Sequence, residues 1–243
     1  MSVAVLALLV GATVLFASAT QRITGLGYAL VASPPLVLLL GAATGVALIQ
    51  IMGVSVAVVV LLSTFKHVSW RKAAGLALPA LIGIIPGWWL ARTVPGPVLL
   101  TLIGGMVLLA LLTMVANERA RIFRGAPGLI GAGFLSGFMN VIAGVGGPAV
   151  VLYKLSTNWR QDEFVATTQA HFVAISTGAL LALGWPSLPL PVWGGAVAGL
   201  VGGLLVGQVL SKRVPVRVAN RLVVAVALIG SLVTLAQGVT QLL

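Results

Sequence analysis

A polytopic all-α membrane protein made of two inverted repeats is the fold class predicted here, and three observations predict it. Of 243 residues, 60% are hydrophobic and only 7% charged, with a mean hydropathy of +1.17, far from globular averages. The stretch GIIPGWWLARTVP, Gly83 to Pro95, returns 120 positions later as GLLVGQVLSKRVP, Gly203 to Pro215. The basic residues of equivalent loops, finally, prefer opposite sides of the membrane.

Eight apolar runs read as helices: Val3 to Ala19, Ala42 to Thr64, Ala73 to Ala91, Val98 to Ala116, Gly128 to Ala143, Phe164 to Leu183, Val192 to Leu210 and Leu222 to Leu242. Most are long enough to cross a hydrocarbon core of roughly 30 Å. They divide into a first repeat, 1–116, a basic cytoplasmic linker, 117–126, and a second repeat, 127–243. Ala17, Ser18 and Ala19 imitate a signal-peptidase site, but no positive n-region precedes them, so the run is kept as part of the mature chain.

Orientation follows from the loops. Lys66, Arg71 and Lys72 mark one loop as cytoplasmic, and Arg119, Arg121 and Arg124 mark the linker. In the second repeat the uncharged loop is Gly184 to Pro191, and Lys212, Arg213, Arg217 and Arg221 cluster after the next helix. Opposite preferences require each repeat to cross an odd number of times. Three clear helices per repeat do so, and the remaining pieces, Val3 to Gly41 and Gly128 to Thr157, must enter and leave on one side. Their centres, TGLGYALVASPP at Thr24 to Pro35 and AGVGGPAVVLY at Ala143 to Tyr153, combine glycine and proline, which interrupt a helix. Irregular backbone at membrane depth is tolerated only beside protein or a water-filled cavity. The alternative is a glycine-lined helix-packing surface.

Chemistry is limited by what the chain lacks. With no cysteine there is no disulfide, thiolate metal site or thioether haem attachment. Two histidines and three acids, Glu118, Asp162 and Glu163, argue against a metal centre or a paired-carboxylate hydrolase, so neither an enzyme nor a cofactor is expected. The net charge of +11 is explained by cations flanking apolar segments, not by nucleic-acid binding. Asp162 and Glu163 fall where negative charge favours a helix start. Trp88, Trp89, Trp185 and Trp193 read as interface anchors and Pro86 as a kink.

At the glycine centres the chain resembles the TauE/SafE family of membrane transporters, the sulfite exporters, over nearly its whole length. Such proteins have two halves, each opening with a helix that runs into a GxGGG or GxGGP turn and a proline. A helix, a basic loop ending in Trp-Arg and a helical hairpin follow. The second-half motif is kept in Gly144, Gly146, Gly147 and Pro148, followed by Tyr153; Trp70 and Arg71 fit the basic loop. The first-half motif is partial: Gly25 and Gly27 match, Tyr28 and Ala29 replace glycines, and Pro34 and Pro35 lie in the proline region. The resemblance implies transport of sulfur-containing anions such as sulfite, thiosulfate and organosulfonates, and a multi-pass protein of a bacterial inner membrane.

An oxyanion in a bilayer needs substitutes for its hydration shell, and helix starts beyond a glycine break supply free amides and partial positive charge. The expected site lies between the two breaks. Amides near Gly25, Gly27 and Tyr28 and near Gly144, Gly146 and Gly147, with Pro148 beside them, would cradle the anion, and Thr24 and Asn140 would donate from side chains. Arg22 reads either as an anion counter-charge or as a snorkelling cation. Gln50 falls eight positions after Ala42 and His171 eight after Glu163, and the two are paired by this symmetry near the membrane middle. His171 either handles a proton or is a neutral imidazole bonded to another helix. The expected partners are a small anion, the bilayer and a second copy of the chain. Export by rocking of the halves is the expected mechanism, driven by about 2.3 kcal/mol per charge per 100 mV. A non-transporting membrane partner and an importer are the alternatives.

Overall fold

The computed structural model describes residues 1–116, 123–157 and 159–242, which are helical almost throughout, without strands. Arg119, Arg121 and Glu118 of the basic linker lie outside the described residues. Ten α-helices follow in order: α1 (Val3–Thr24), α2 (Tyr28–Leu40), α3 (Ala42–Thr64), α4 (Trp70–Thr93), α5 (Gly96–Ala116), α6 (Gly125–Ala143), α7 (Gly147–Thr157), α8 (Gln161–Leu183), α9 (Leu190–Leu210) and α10 (Val216–Thr240). Eight coincide with the eight apolar runs. The two additional helices, α2 and α7, are the short return arms of the glycine-centred hairpins, too short to register as spans. Seven described helices are long and apolar enough to cross a membrane, and this is an integral, multi-pass membrane protein.

Each break opens on a glycine. Gly25 and Gly144 end α1 and α6 in the left-handed region, with φ of 76° and 73°, and their amides bond back to the carbonyls of Gln21 and Asn140 at 2.8 Å. Pro34 and Pro35 lie inside α2, away from the break. Pro86 is likewise inside α4, which runs unbroken from Trp70 to Thr93.

Helix directions follow from close contacts. Along α9, Gly195, Gly199, Gly203 and Gly207 lie on the backbone of Ala7, Gly11, Leu15 and Ala19 of α1, advancing together, so the two helices are parallel. Likewise Gly133 and Gly137 of α6 lie on Leu76 and Ala80 of α4, and Gly83 and Gly87 of α4 on Phe134 and Phe138 of α6. None of these positions has room for a Cβ, which is the small-residue packing available where lipid supplies no hydrophobic drive. The repeated Gly83/Gly87 and Gly203/Gly207 pairs are therefore packing seams between the halves.

The ends complete the topology. Arg22, at the end of α1, donates to Ser63 Oγ near the end of α3 at 2.9 Å, and also bonds Gln208 near the end of α9. Lys72 at the start of α4 pairs with Glu163 at the start of α8 at 2.8 Å. All of this gathers at the end carrying the basic loop Lys66 to Lys72. Gly45 packs on Leu36 and Val37, and Gly53 on Tyr28, so α2 is antiparallel to α3; Gly104 on Ser231 and Gly238 on Thr101 make α5 antiparallel to α10. Thus α1, α3 and α5 run towards the basic end while α6, α8 and α10 run away from it. The repeats are inverted, as expected, and each opening hairpin starts and finishes at one end. Trp89 and Trp185 are exposed at the opposite end, where Trp185 stacks on Trp193 at 5.6 Å and Arg92 lies 4.9 Å from the Trp88 ring, as interfacial anchors should.

Candidate functional site

Two breaks at the same register within inverted repeats bring two helix starts together. Gly25 and Gly144 are 119 positions apart, and α2 and α7 both begin on one cavity. It has a volume of ≈ 50 Å³, against the roughly 10–15 Å³ that one ordered water needs. Its walls come from both repeats: Gly27, Tyr28, Ala29 and Leu30 from the first break, Gly144, Gly146, Gly147 and Pro148 from the second, Gln50 and Gly53 from α3, Phe172 and Ser176 from α8, and Gln21 and Asn140 from the ends of α1 and α6. Among the described residues no charged side chain lines it.

The same offset organises the polar contacts. Gln21 and Asn140 each precede their break glycine by four, and each meets an amide side chain from the other repeat. Gln21 Nε2 donates to Gln169 Oε1 at 3.1 Å, Gln169 Nε2 donates to the Gly25 carbonyl at 2.9 Å, and the Tyr28 amide donates to Gln21 Oε1 at 3.0 Å. In the other repeat Asn140 Nδ2 donates to Gln50 Oε1 at 3.0 Å and Gln50 Nε2 to the Asn140 carbonyl at 2.8 Å. All four side chains are almost wholly buried. A buried amide without partners is costly, and these four satisfy one another and the breaks. Each helix end is thereby tied to the opposite repeat.

Several expectations change with this geometry. The symmetry partner of Gln50 is Gln169, also 119 positions on, and not His171; counting from Glu163 missed the register by two, because α8 begins at Gln161, 119 positions after the Ala42 that begins α3. His171 is buried beside Ser136, with Nε2 2.9 Å from Ser136 Oγ, and does not line the cavity. Neither do Arg22, Thr24 and Gly25. Arg22 is at the basic end with Ser63 and Gln208. The Thr24 hydroxyl donates to the Thr20 carbonyl at 2.9 Å and accepts the Leu26 amide at 3.2 Å, while both polar backbone atoms of Gly25 are bonded within the protein. Gly27, Tyr28, Gln50, Asn140, Gly144, Gly146, Gly147 and Pro148 are brought together on the cavity. Gln21, Gln169, Gly53, Phe172 and Ser176 were missed; the register of 119 would have revealed the first two, and nothing in the sequence marked the others.

Free donors remain at both helix starts. The first amides of a helix have no intrahelical partner; in α2 those of Ala29 and Leu30 follow the Tyr28 amide that Gln21 occupies, and in α7 Pro148 has none to offer, leaving its neighbours. Two positive helix ends thus face one small, largely apolar chamber. Within the described residues no group of three or more His, Cys, Asp or Glu side chains is placed to hold a metal.

The family model for the sulfite exporter TauE/SafE matches residues 10–234, nearly the whole chain. The chain belongs to the TauE/SafE family. No curated protein and no solved structure gives a significant match. Membership makes it a membrane transporter, and the glycine breaks carried by the family motif are the elements that line the cavity.

Proposed function

We propose that this TauE/SafE protein binds a small sulfur-containing oxyanion between its two breaks and exports it by alternating access. The convergence of the α2 and α7 starts on one cavity carries the reading, because aligned amides stabilise an anion without a cation. Neutral donors suit one charge better than two, since the cost of moving an ion from water grows steeply with its charge. A monoanion such as hydrogensulfite or an alkanesulfonate is therefore favoured over sulfate.

The bodies that move are set by the packing. Parallel pairs α1/α9 and α4/α6 each join one helix from either repeat at backbone distance, so neither repeat moves as a unit against the other. The conformational step is instead a movement of these two cross-repeat pairs about α3 and α8, with the amide latches Gln21–Gln169 and Asn140–Gln50 rearranging between them.

Flux of methanesulfonate from proteoliposomes, at fixed pH and with an imposed membrane potential, tests the proposal. An interior-negative potential accelerates efflux of a monoanion carried alone. Flux insensitive to potential removes the uncoupled mechanism, and absence of any anion-dependent flux removes transport in favour of a non-transporting membrane partner.

A further inference from the structure

Tyr28 stands where the second repeat has Gly147, 119 positions on. Its ring lies against Gly53 of α3, with Cδ1 and Cε1 3.7 Å from where a Gly53 Cβ would be, which leaves room there for nothing much larger than a methyl group. In the second repeat the aromatic residue is on the other helix: Phe172 of α8, at the register of Gly53, faces Gly147 with its ring tip at the same 3.7 Å. Volume is thus conserved across the two-fold relation while the helix bearing the ring is exchanged. The exchange is chemically unequal, because only Tyr28 carries a hydroxyl.

That hydroxyl is unused by the protein. Tyr28 is 2% exposed and its Oη has no hydrogen-bond partner. Of the described buried side-chain polar atoms without partners, it alone belongs to a residue lining the cavity. Buried hydroxyls normally find a partner, and one left over beside a cavity that two helix starts face indicates a ligand that supplies the acceptor.

Building on the anion-binding reading above, we infer that Tyr28 is a specificity-determining residue whose hydroxyl donates to an oxygen of the bound anion. Tyr28 takes one oxygen of the anion and leaves the others to the free amides of the two helix starts, while Phe172, Val151 and Leu26 line the rest of the chamber with carbon. The site then discriminates by acceptor geometry as well as charge: an oxygen-bearing monoanion satisfies the phenol, and a spherical halide of equal charge does so less well.

Isothermal titration of the purified full-length protein with methanesulfonate and with bromide tests this. Tyr28→Phe keeps the ring packed on Gly53 and weakens methanesulfonate roughly tenfold or more, the worth of a hydrogen bond to a charged group, with little change for bromide. Incorporation of 3-fluorotyrosine at position 28 retains the ring and makes the phenol a stronger donor, so methanesulfonate binds more tightly; this arm does not depend on the phenylalanine variant folding. Equal effects on both anions, or none in either variant, overturn the assignment while leaving anion binding intact. Failure of the wild-type protein to bind either anion overturns the anion site itself, and the Tyr28 role with it.

Discussion

The two glycine breaks are built to the same plan and differ in what fills them. Both end a long helix in a left-handed glycine, and both restart within three residues, beneath an amide side chain latched to the opposite repeat. At the first, the ring comes from the return arm and the gap from α3; at the second, the gap comes from the return arm and the ring from α8. Loss of a motif glycine at Tyr28 is therefore not loss of the site. An inverted pair can move a side chain across its seam at constant volume, because the cavity responds to the sum of what both sides contribute.

The strongest test of this comparison is Gly53→Phe, which places a second ring against Tyr28. With the Tyr28 ring already 3.7 Å from a Gly53 Cβ, a second ring is expected to fill the chamber, and methanesulfonate flux should fall to background in proteoliposomes. Combining it with Tyr28→Gly transplants the second repeat's arrangement into the first, and recovery of flux in the double variant is the expected result. A double variant as inactive as Gly53→Phe alone would show that the two sites are not interchangeable.

The latches should separate next. Gln169→Leu strands the Gly25 carbonyl and the Gln21 amide, whereas after Gln50→Leu the Asn140 carbonyl keeps the Gly144 amide and Asn140 Nδ2 retains the Ile175 carbonyl at 3.5 Å. A buried group left unpaired costs about 1–3 kcal/mol. Thermal unfolding in detergent should therefore show a larger drop in Tm for Gln169→Leu than for Gln50→Leu. The reverse order would mean that the second break, not the first, holds the fold more tightly.

Arg22→Ala should have the smallest effect on binding. The guanidinium is at the basic end with Ser63 and Gln208, outside the cavity, so methanesulfonate affinity is expected to stay near that of the wild type, with a Tm loss of modest size from the missing bonds. A large loss of affinity would restore the counter-charge reading and place a binding step at the basic end.

How much was legible beforehand differs between fold and site. Apolar length and loop charge were sufficient for the spans and their inversion, because lipid obliges every helix to satisfy its own backbone and leaves the signs of the loops to report direction. The breaks were readable too, since glycine and few other residues tolerate the left-handed turn at Gly25 and Gly144. The pairing of Gln50 with Gln169 was not read, although the offset of 119 carries it: α8 begins in polar residues at Gln161, 119 positions after Ala42, so counting from Glu163 is two residues late. Nor was the role of Gly83, Gly87, Gly203 and Gly207, whose repeat signalled duplication while their contacts, α4 on α6 and α1 on α9, cross from one copy to the other.

Local physics, then, was enough to say where this chain turns helical, where it breaks and which way each segment points, as these depend on residues near in sequence and on the solvent around them. Which amide meets which, whether a tyrosine in a glycine's place closes a chamber or furnishes it, and which helices pack together depend on contacts between residues distant in sequence, 148 positions apart for Gln21 and Gln169 and 90 for Gln50 and Asn140. Those contacts exist only once two inverted copies have packed through each other.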